Sequence, residues 1–177
     1  MENQKASVKK IALSYGLVLA LLSITLSVIV YVMDMTYDQP WWQNVLNFVF
    51  MLGCIVYGLK AFKRDNGGFM SLGQALKTGV AIALVSGIVG AIFLYLFVTV
   101  IEPDFTTNLL DATRTKMLED NPNMPQEQMD MALGITENMA TPWVMAAFGI
   151  IASMFFGFII SLIAGLIMKV KKPEHLQ

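Results

Sequence analysis

Hydrophobic residues in this chain come in long unbroken runs instead of alternating with polar ones. Four stretches, Ile11–Met33, Trp42–Phe62, Leu72–Ile101 and Trp143–Met168, carry no ionisable side chain at their centres. An apolar run of about 18 or more residues marks a transmembrane helix, because ~20 residues rising 1.5 Å each match a hydrocarbon core of ~30 Å. The pattern predicts an all-α integral membrane four-helix bundle, a single membrane domain over residues 1–177. The first stretch covers 23 residues, beyond the ~7–15 of a signal h-region, and no small-residue cleavage box follows Met33, so it is expected to stay as an anchor.

The third stretch is longer than a bilayer requires. Ser71 with Gln74 three residues later fits a capping box, which places the helix start at Ser71. A helix from there to Ile101 measures about 45 Å, so it must tilt or project from the hydrocarbon. Lys77 would snorkel to the headgroups. Gly67-Gly68 upstream reads as a hinge that lets the chain turn back sharply.

Between the third and fourth stretches lies a polar segment, Glu102 to Thr141. Phe105, Leu109, Leu110, Thr113 and Met117 recur at helical spacing and predict an amphipathic helix to about Glu119. Asn121-Pro122-Asn123-Met124-Pro125 makes a turn. A second helix is expected from Gln126 to Met139, with Met129, Leu133, Ile135 and Met139 as its apolar positions. Together they predict a helical hairpin lying over one face of the bundle.

Charge gives the bundle a direction. The net charge of -1 conceals a sorting by side. Lys5, Lys9 and Lys10 precede the first span. Lys60, Lys63, Arg64 and Lys77 flank the second connection, and Lys169, Lys171 and Lys172 follow the fourth span. The first connection has no basic residue and the polar segment has only Arg114 and Lys116, so ten bases stand against two. Basic residues are retained on the cytoplasmic side, which predicts two cytoplasmic termini and an extracytoplasmic hairpin. Trp41, Trp42 and Trp143 gather at the other ends of spans two and four, where a ring prefers the headgroup layer. Pro40 before Trp41, and Thr141 before Pro142, are helix-start chemistry. The hairpin carries Glu102, Asp104, Asp111, Glu119, Asp120, Glu127, Asp130 and Glu137, eight acids against its two bases.

Composition agrees: 56% hydrophobic, 14% charged and a mean hydropathy of +0.61 exclude an ordinary soluble domain. Small residues then say how the spans pack. Lipid gives helices no hydrophobic reason to associate, so close backbone approach takes over. Gly149, Ser153, Gly157, Ser161 and Gly165 recur every fourth residue in span four, as do Gly79, Ala83, Gly87 and Ala91 in span three. Gly16 and Ala20, then Ser23 and Ser27, form a weaker series in span one. A right-handed crossing of about −40° between spans three and four is expected, with homodimerisation through span four the rival use of that stripe.

Catalytic patterns are missing. The sequence holds no nucleophile triad, acid–base pair, phosphate loop or zinc spacing, and His175 reads as a solvated tail residue. Cys54, the lone cysteine, reads as a packing residue. No cofactor is expected, and a basic patch suited to nucleic acid is absent. Transporters commonly keep a buried charge. Here only Ser23, Thr25, Ser27, Ser86, Ser153, Ser161 and Asn47 are polar inside the spans, which argues against an ion-coupled carrier but leaves a facilitator open. Two triplets, Met33-Asp34-Met35 and Met129-Asp130-Met131, offer thioethers of the kind that suit Cu(I), although methionine also packs readily into helices. Asp34, Asp38, Glu102 and Asp104 at the outer mouth could hold a divalent cation, although scattered carboxylates on a solvated face are the commoner arrangement. Lys60, Lys63 and Arg64 are expected to meet anionic headgroups.

Two motifs carry a resemblance over nearly the whole chain. One is Gly67-Gly68-Phe69-Met70-Ser71-Leu72-Gly73-Gln74-Ala75-Leu76-Lys77-Thr78-Gly79, and the other is Glu102-Pro103-Asp104-Phe105 before an acidic hairpin. In these the chain resembles a family of short four-span bacterial membrane proteins, a domain of unknown function found mainly in Bacteroidetes. The resemblance implies a bacterial inner-membrane location and brings no activity. The residues alone suggest a non-enzymatic scaffold whose hairpin meets a membrane or periplasmic protein partner. A small-molecule or lipid facilitator, with a path near Ser86, Ser153 and Asn47, is the alternative.

Overall fold

A computed structural model describes residues 6–170. Lys5, Lys171, Lys172 and His175 lie outside the described residues. The elements in chain order are α1 (Val8–Val32), α2 (Trp41–Asp65), α3 (Leu72–Leu96) with a π-helical turn (Phe97–Ile101), α4 (Phe105–Asp120), α5 (Gln126–Met139) and α6 (Pro142–Met168). No β-strand forms among the described residues; the sole ladder contact is an isolated bridge.

Four helical segments have the length and hydropathy to cross a membrane: α1, α2, α6 and the continuous Leu72–Ile101. Their apolar surface is mostly outward. Only 22–33% of each apolar window is buried inside the protein. Leu21, Val32, Val100, Ile151 and Ile167 point away from the core. Water cannot cover such a surface at this extent, so lipid must. The protein is an integral membrane protein with four spans, and the polar hairpin separates the third from the fourth.

The helix ends obey local chemistry. Ser71 and Gln74 close a reciprocal capping box, with Gln74 N–H donating to Ser71 Oγ (3.2 Å) and Ser71 N–H donating to Gln74 Oε1 (2.8 Å). Gly67 and Gly68 have φ of +69° and +88°, a left-handed turn open to glycine at little cost. Two ends differ from expectation. Thr141 precedes Pro142 at the start of α6 but does not cap it, because its hydroxyl donates back to Asn138 O (3.0 Å). α2 runs on to Asp65, so Lys60, Lys63 and Arg64 sit on its last turns and not in a loop.

The arrangement centres on α3. It packs most extensively on α6, then on α1, and also on α2; α2 in turn meets α1 and α6. The α3–α6 contact is an antiparallel ladder of small residues. Gly165 faces Ala75, Ser161 faces Gly79, Gly157 faces Ala83, and Ser153 lies beside Gly87. Each step of four on one helix is met by a step of four on the other. A Cβ at Gly165 would stand 2.7 Å from Ala75 Cβ, and one at Gly87 only 3.3 Å from Ile150 Cα. Ser153 Oγ donates across to Ala83 O (2.8 Å), while Ser161 Oγ turns to Gly157 O of its own helix. On the other flank, Gly16 of α1 admits Val85 and the Ile82 carbonyl, and Gly58 of α2 admits Ile82 Cδ1.

One member of the predicted stripe does not take part. Gly149 is exposed, with nothing within 4 Å of a Cβ placed there. A four-residue repeat turns about 40° per step on a helix, so the outermost member rotates off the contact line and Ile150 replaces it. Ala91, its expected counterpart, is half-buried. The hairpin also corrects its prediction. Ile135 and Met139 are exposed, and α5 turns Met129, Leu133, Thr136 and Ala140 inward. At 100° per residue, Ile135 lies about 120° around the helix from Met129 and cannot share its face.

These contacts set a paired test. Leucine at Gly157 must displace Ala83 and is expected to cost about 1–3 kcal/mol, read as a lower Tm in detergent. Leucine at Gly149 enters open space and should leave Tm within a degree or two. Equal responses from the two variants would remove the ladder as the packing determinant.

Candidate functional site

Two clusters of polar bonds close the ends of the bundle, and each falls on one of the sequence motifs. The first is built where the third span runs out. The π-helical turn ends with Glu102 N–H donating to Phe97 O (2.8 Å), one residue beyond α-helical spacing. Such a turn widens the helix by one residue and re-aims the side chains after it. The first of these is the Glu102 carboxylate. Tyr31 OH donates to Oε2 (3.1 Å), Tyr37 OH donates to Oε1 (3.1 Å), and Asn108 Nδ2 donates to Oε1 (3.0 Å). Three stretches of chain are thereby tied to one carboxylate: the end of α1, the α1–α2 connection and the first turn of α4.

Aromatic rings pack around this knot. Phe97 meets Tyr31 edge-on, with centroids 5.2 Å apart, and also contacts Phe93 and Phe105. Tyr37 lies against Phe105 at 5.7 Å. Phe105, Phe97 and Val98 form a small core of their own, with Leu109 and Met145 at its edge. Burial against these rings is the main reason the Tyr37 hydroxyl titrates above its ordinary value of 10.0; the Glu102 charge adds to the rise and the Asn108 contact opposes it. The hairpin meets the spans at this base through Phe105, Asn108 and Leu109, and α5 also touches α6.

Of the predicted motif, Glu102 and Phe105 do the anchoring. Pro103 and Asp104 are exposed, and Asp104 precedes α4 without capping it by its side chain. Tyr31, Tyr37 and Asn108 were not singled out from sequence. Only half of the signal was present: a glutamate ending an apolar helix needs donors, but the tyrosines that supply them read as interfacial anchors.

The acids of the outer mouth do not gather into a cation site among the described residues. No group of three His, Cys, Asp or Glu side chains close enough for a metal ion occurs among the described residues. Glu102 is committed to its three donors, and Asp34 stands in a strained loop at φ +58°. The methionine triplet of α5 splits as well: Met129 is buried while Met131 is 66% exposed, because residues two apart on a helix face different ways.

Below the knot, a cavity of about 330 Å³ opens between α1, α3 and the start of α2, with Ser23, Ser27, Thr36 and Gln43 as its polar lining. Ser27 and Thr25 spend their hydroxyls on carbonyls of their own helix. Ser86 is buried against α3's neighbours, and neither it, Ser153 nor Asn47 lines this cavity. Asn47 Oδ1 and Thr78 Oγ1 are buried without a hydrogen-bond partner among the described residues.

The second cluster is at the opposite end. Met70, next to the glycine hinge, pairs with Val170 through two backbone bonds of 3.0 and 2.9 Å. Lys63 Nζ donates to Met168 O (3.0 Å), and Asn66 Nδ2 donates to Phe69 O (2.8 Å). The hinge therefore presents an edge to which the segment after α6 is clipped, with Met70 fully buried beneath it. Ser71 and Gln74 act on the backbone only, through their capping box.

A family model described as "Protein of unknown function (DUF4199)" matches residues 14–170. The chain belongs to that family. No curated protein and no solved structure matches it. The matched region holds both clusters.

The knot makes two predictions. Glu102→Ala strands three donors and should loosen the hairpin base by an amount on the order of 2 kcal/mol, since a bond to a charged group contributes about 1.5–3 kcal/mol. Faster hydrogen exchange over residues 97–110, at unchanged helicity, would report it. The second concerns alkaline pH. A hydroxyl whose folded-state value is raised contributes stability that is complete below the unfolded value and lost as pH rises through the folded one. Protease resistance of the hairpin should hold through neutral pH and fall above about pH 10, with Tyr37→Phe weakening that alkaline step. An unaltered step in Tyr37→Phe would show that Tyr37 does not take part.

Proposed function

We propose that this protein is a non-enzymatic scaffold of the bacterial inner membrane, with both termini cytoplasmic and the hairpin outside as a contact surface for another membrane or periplasmic protein. The observation that carries the reading is the hairpin itself. Asp111, Glu119, Asp120, Glu127, Asp130 and Glu137 are all exposed on it. The sole ion pair among the described residues is Arg64–Asp65, so none of these acids is neutralised by a base. A two-helix projection anchored at its base and charged along its length suits recognition of a basic surface, where charge complementarity speeds encounter and fixes register. The absence of a catalytic set in the sequence points the same way. The bias of Lys and Arg supports the orientation.

The cavity under the knot favours one other reading, a facilitator for a small amphiphile or lipid. The two readings separate cleanly. Deleting residues 105–140, or reversing Glu119, Asp120, Glu127 and Asp130 to lysine, should abolish capture of one defined partner in crosslinked native membranes. Partner capture that survives these changes, together with lost solute flux in vesicles, would favour the facilitator instead. Orientation has its own check. In a Cys54→Ala background, a cysteine at Asn123 should react with an impermeant maleimide added to spheroplasts, whereas one at Asn66 should not.

A further inference from the structure

The seam between α1 and α2 is hollow on its outer side. At the basic end, Lys10, Ser14, Arg64 and Asp65 rim a hollow of about 330 Å³ whose floor is Ile11, Tyr15, Val18 and Ala61. A second hollow of about 380 Å³ lies deeper, between Leu22 on α1 and Val49, Phe50, Gly53 and Tyr57 on α2. Tyr15 and Val18 line both. The two are therefore one groove, polar at its mouth and apolar along its length.

We propose that this groove holds one anionic phospholipid, with its phosphate between Lys10 and Arg64 and an acyl chain laid along Tyr15, Val18, Gly53 and Val49. Length fits the occupant. From Lys10 to Leu22 the groove tracks twelve residues of α1, roughly 18 Å, slightly more than half of a ~30 Å hydrocarbon core. That is the reach of one leaflet. Charge fits as well. Arg64 commits only Nε to Asp65 (3.1 Å), which leaves its terminal nitrogens for an anion, and Lys10 is exposed with no side-chain bond among the described residues. Lys60 lies over the Tyr57 ring at 5.3 Å, adding a third cation on the same side of α2. Asp65 offsets part of this, so the mouth is cationic overall and suits an anionic headgroup over a zwitterionic one. A basic pocket between spanning helices is a recognised setting for acidic lipid headgroups. Gly53 supplies the room, since nothing stands within 4 Å of a Cβ placed there.

The test is native mass spectrometry of the whole protein in mild detergent, titrated with phosphatidylglycerol and with phosphatidylcholine of identical chains. One phosphatidylglycerol should bind about tenfold more tightly than phosphatidylcholine, the scale expected from two cations near a headgroup partly offset by one acid. Lys10→Gln with Arg64→Gln should erase the preference. Gly53→Phe should weaken both lipids equally while leaving Tm unchanged, because it fills open space. Equal binding of both lipids to the unmodified protein would overturn the proposal. So would a preference that survives the double variant, or Gly53→Phe binding as before. Displacement of phosphatidylglycerol by millimolar inorganic phosphate alone would show an anion site that needs no acyl chain, and would overturn it too.

Discussion

Close approach of two backbones, α3 against α6, is the constraint on which the rest of this structure depends. Lipid offers helices no hydrophobic reward for meeting, so contact must come from van der Waals packing and a few hydrogen bonds. Glycine, alanine and serine at every fourth position make that possible. Gly79, Ala83, Gly157 and Ser161 leave little side-chain volume between the helices, and Ser153 can then reach the Ala83 carbonyl. With its opposite face, α3 takes α1 through Gly16 and α2 through Gly58. α3 is thereby the common neighbour, buried along Ala75, Thr78, Gly79, Ile82 and Ala83. A bulky residue at one of its small positions would be felt by two partners at once.

The ladder does not extend through the whole membrane. It is tight from Gly165 to Ser153 and stops at Gly149, where Ile150 takes over. Beyond that level other interactions hold the bundle together: the aromatic cluster around Phe97 and the Glu102 carboxylate with its three donors. The switch has a physical reason. Near the headgroups, water is close enough to make a carboxylate tolerable, and tyrosine is at ease with one end wet. Deep in the hydrocarbon the same carboxylate would be prohibitive, and small-residue packing is what remains.

The sequence made the spans legible because the requirement for ~20 apolar residues leaves a signal no loop can imitate. The capping box at Ser71 and the hinge at Gly67-Gly68 were legible for a similar reason, since each depends on residues within a few positions of one another. Long-range polar bonds were not. Glu102 could be picked out as an odd residue at a helix end, but its partners Tyr31 and Tyr37 lie 71 and 65 positions away. Nothing local distinguishes those tyrosines from interfacial anchors. The clip between Met70 and Val170 was hidden for the same reason, being made of backbone atoms that any sequence supplies. The face of α5 was misjudged on simpler grounds: Ile135 and Met139 are apolar, but their angular positions do not match that of Met129.

The ties at the two ends and the tight α3–α6 seam leave the outer side of the α1–α2 seam open, and that is where the groove lies. This division arises from where the small residues fall. Gly16 of α1 is spent on α3, and Gly58 of α2 is pressed hardest by Ile82 of α3, with Tyr15 and Ile11 of α1 farther off. On the outer side of the seam, Tyr15, Val18, Leu22, Val49 and Phe50 line the gap that remains. Gly53, facing that gap, is the one glycine of α2 that contacts nothing. A helix pair packed for its own sake would place a side chain there. Its absence is what an occupant of flexible hydrocarbon would require, and the cations Lys10 and Arg64 at the mouth supply the polar end such an occupant needs.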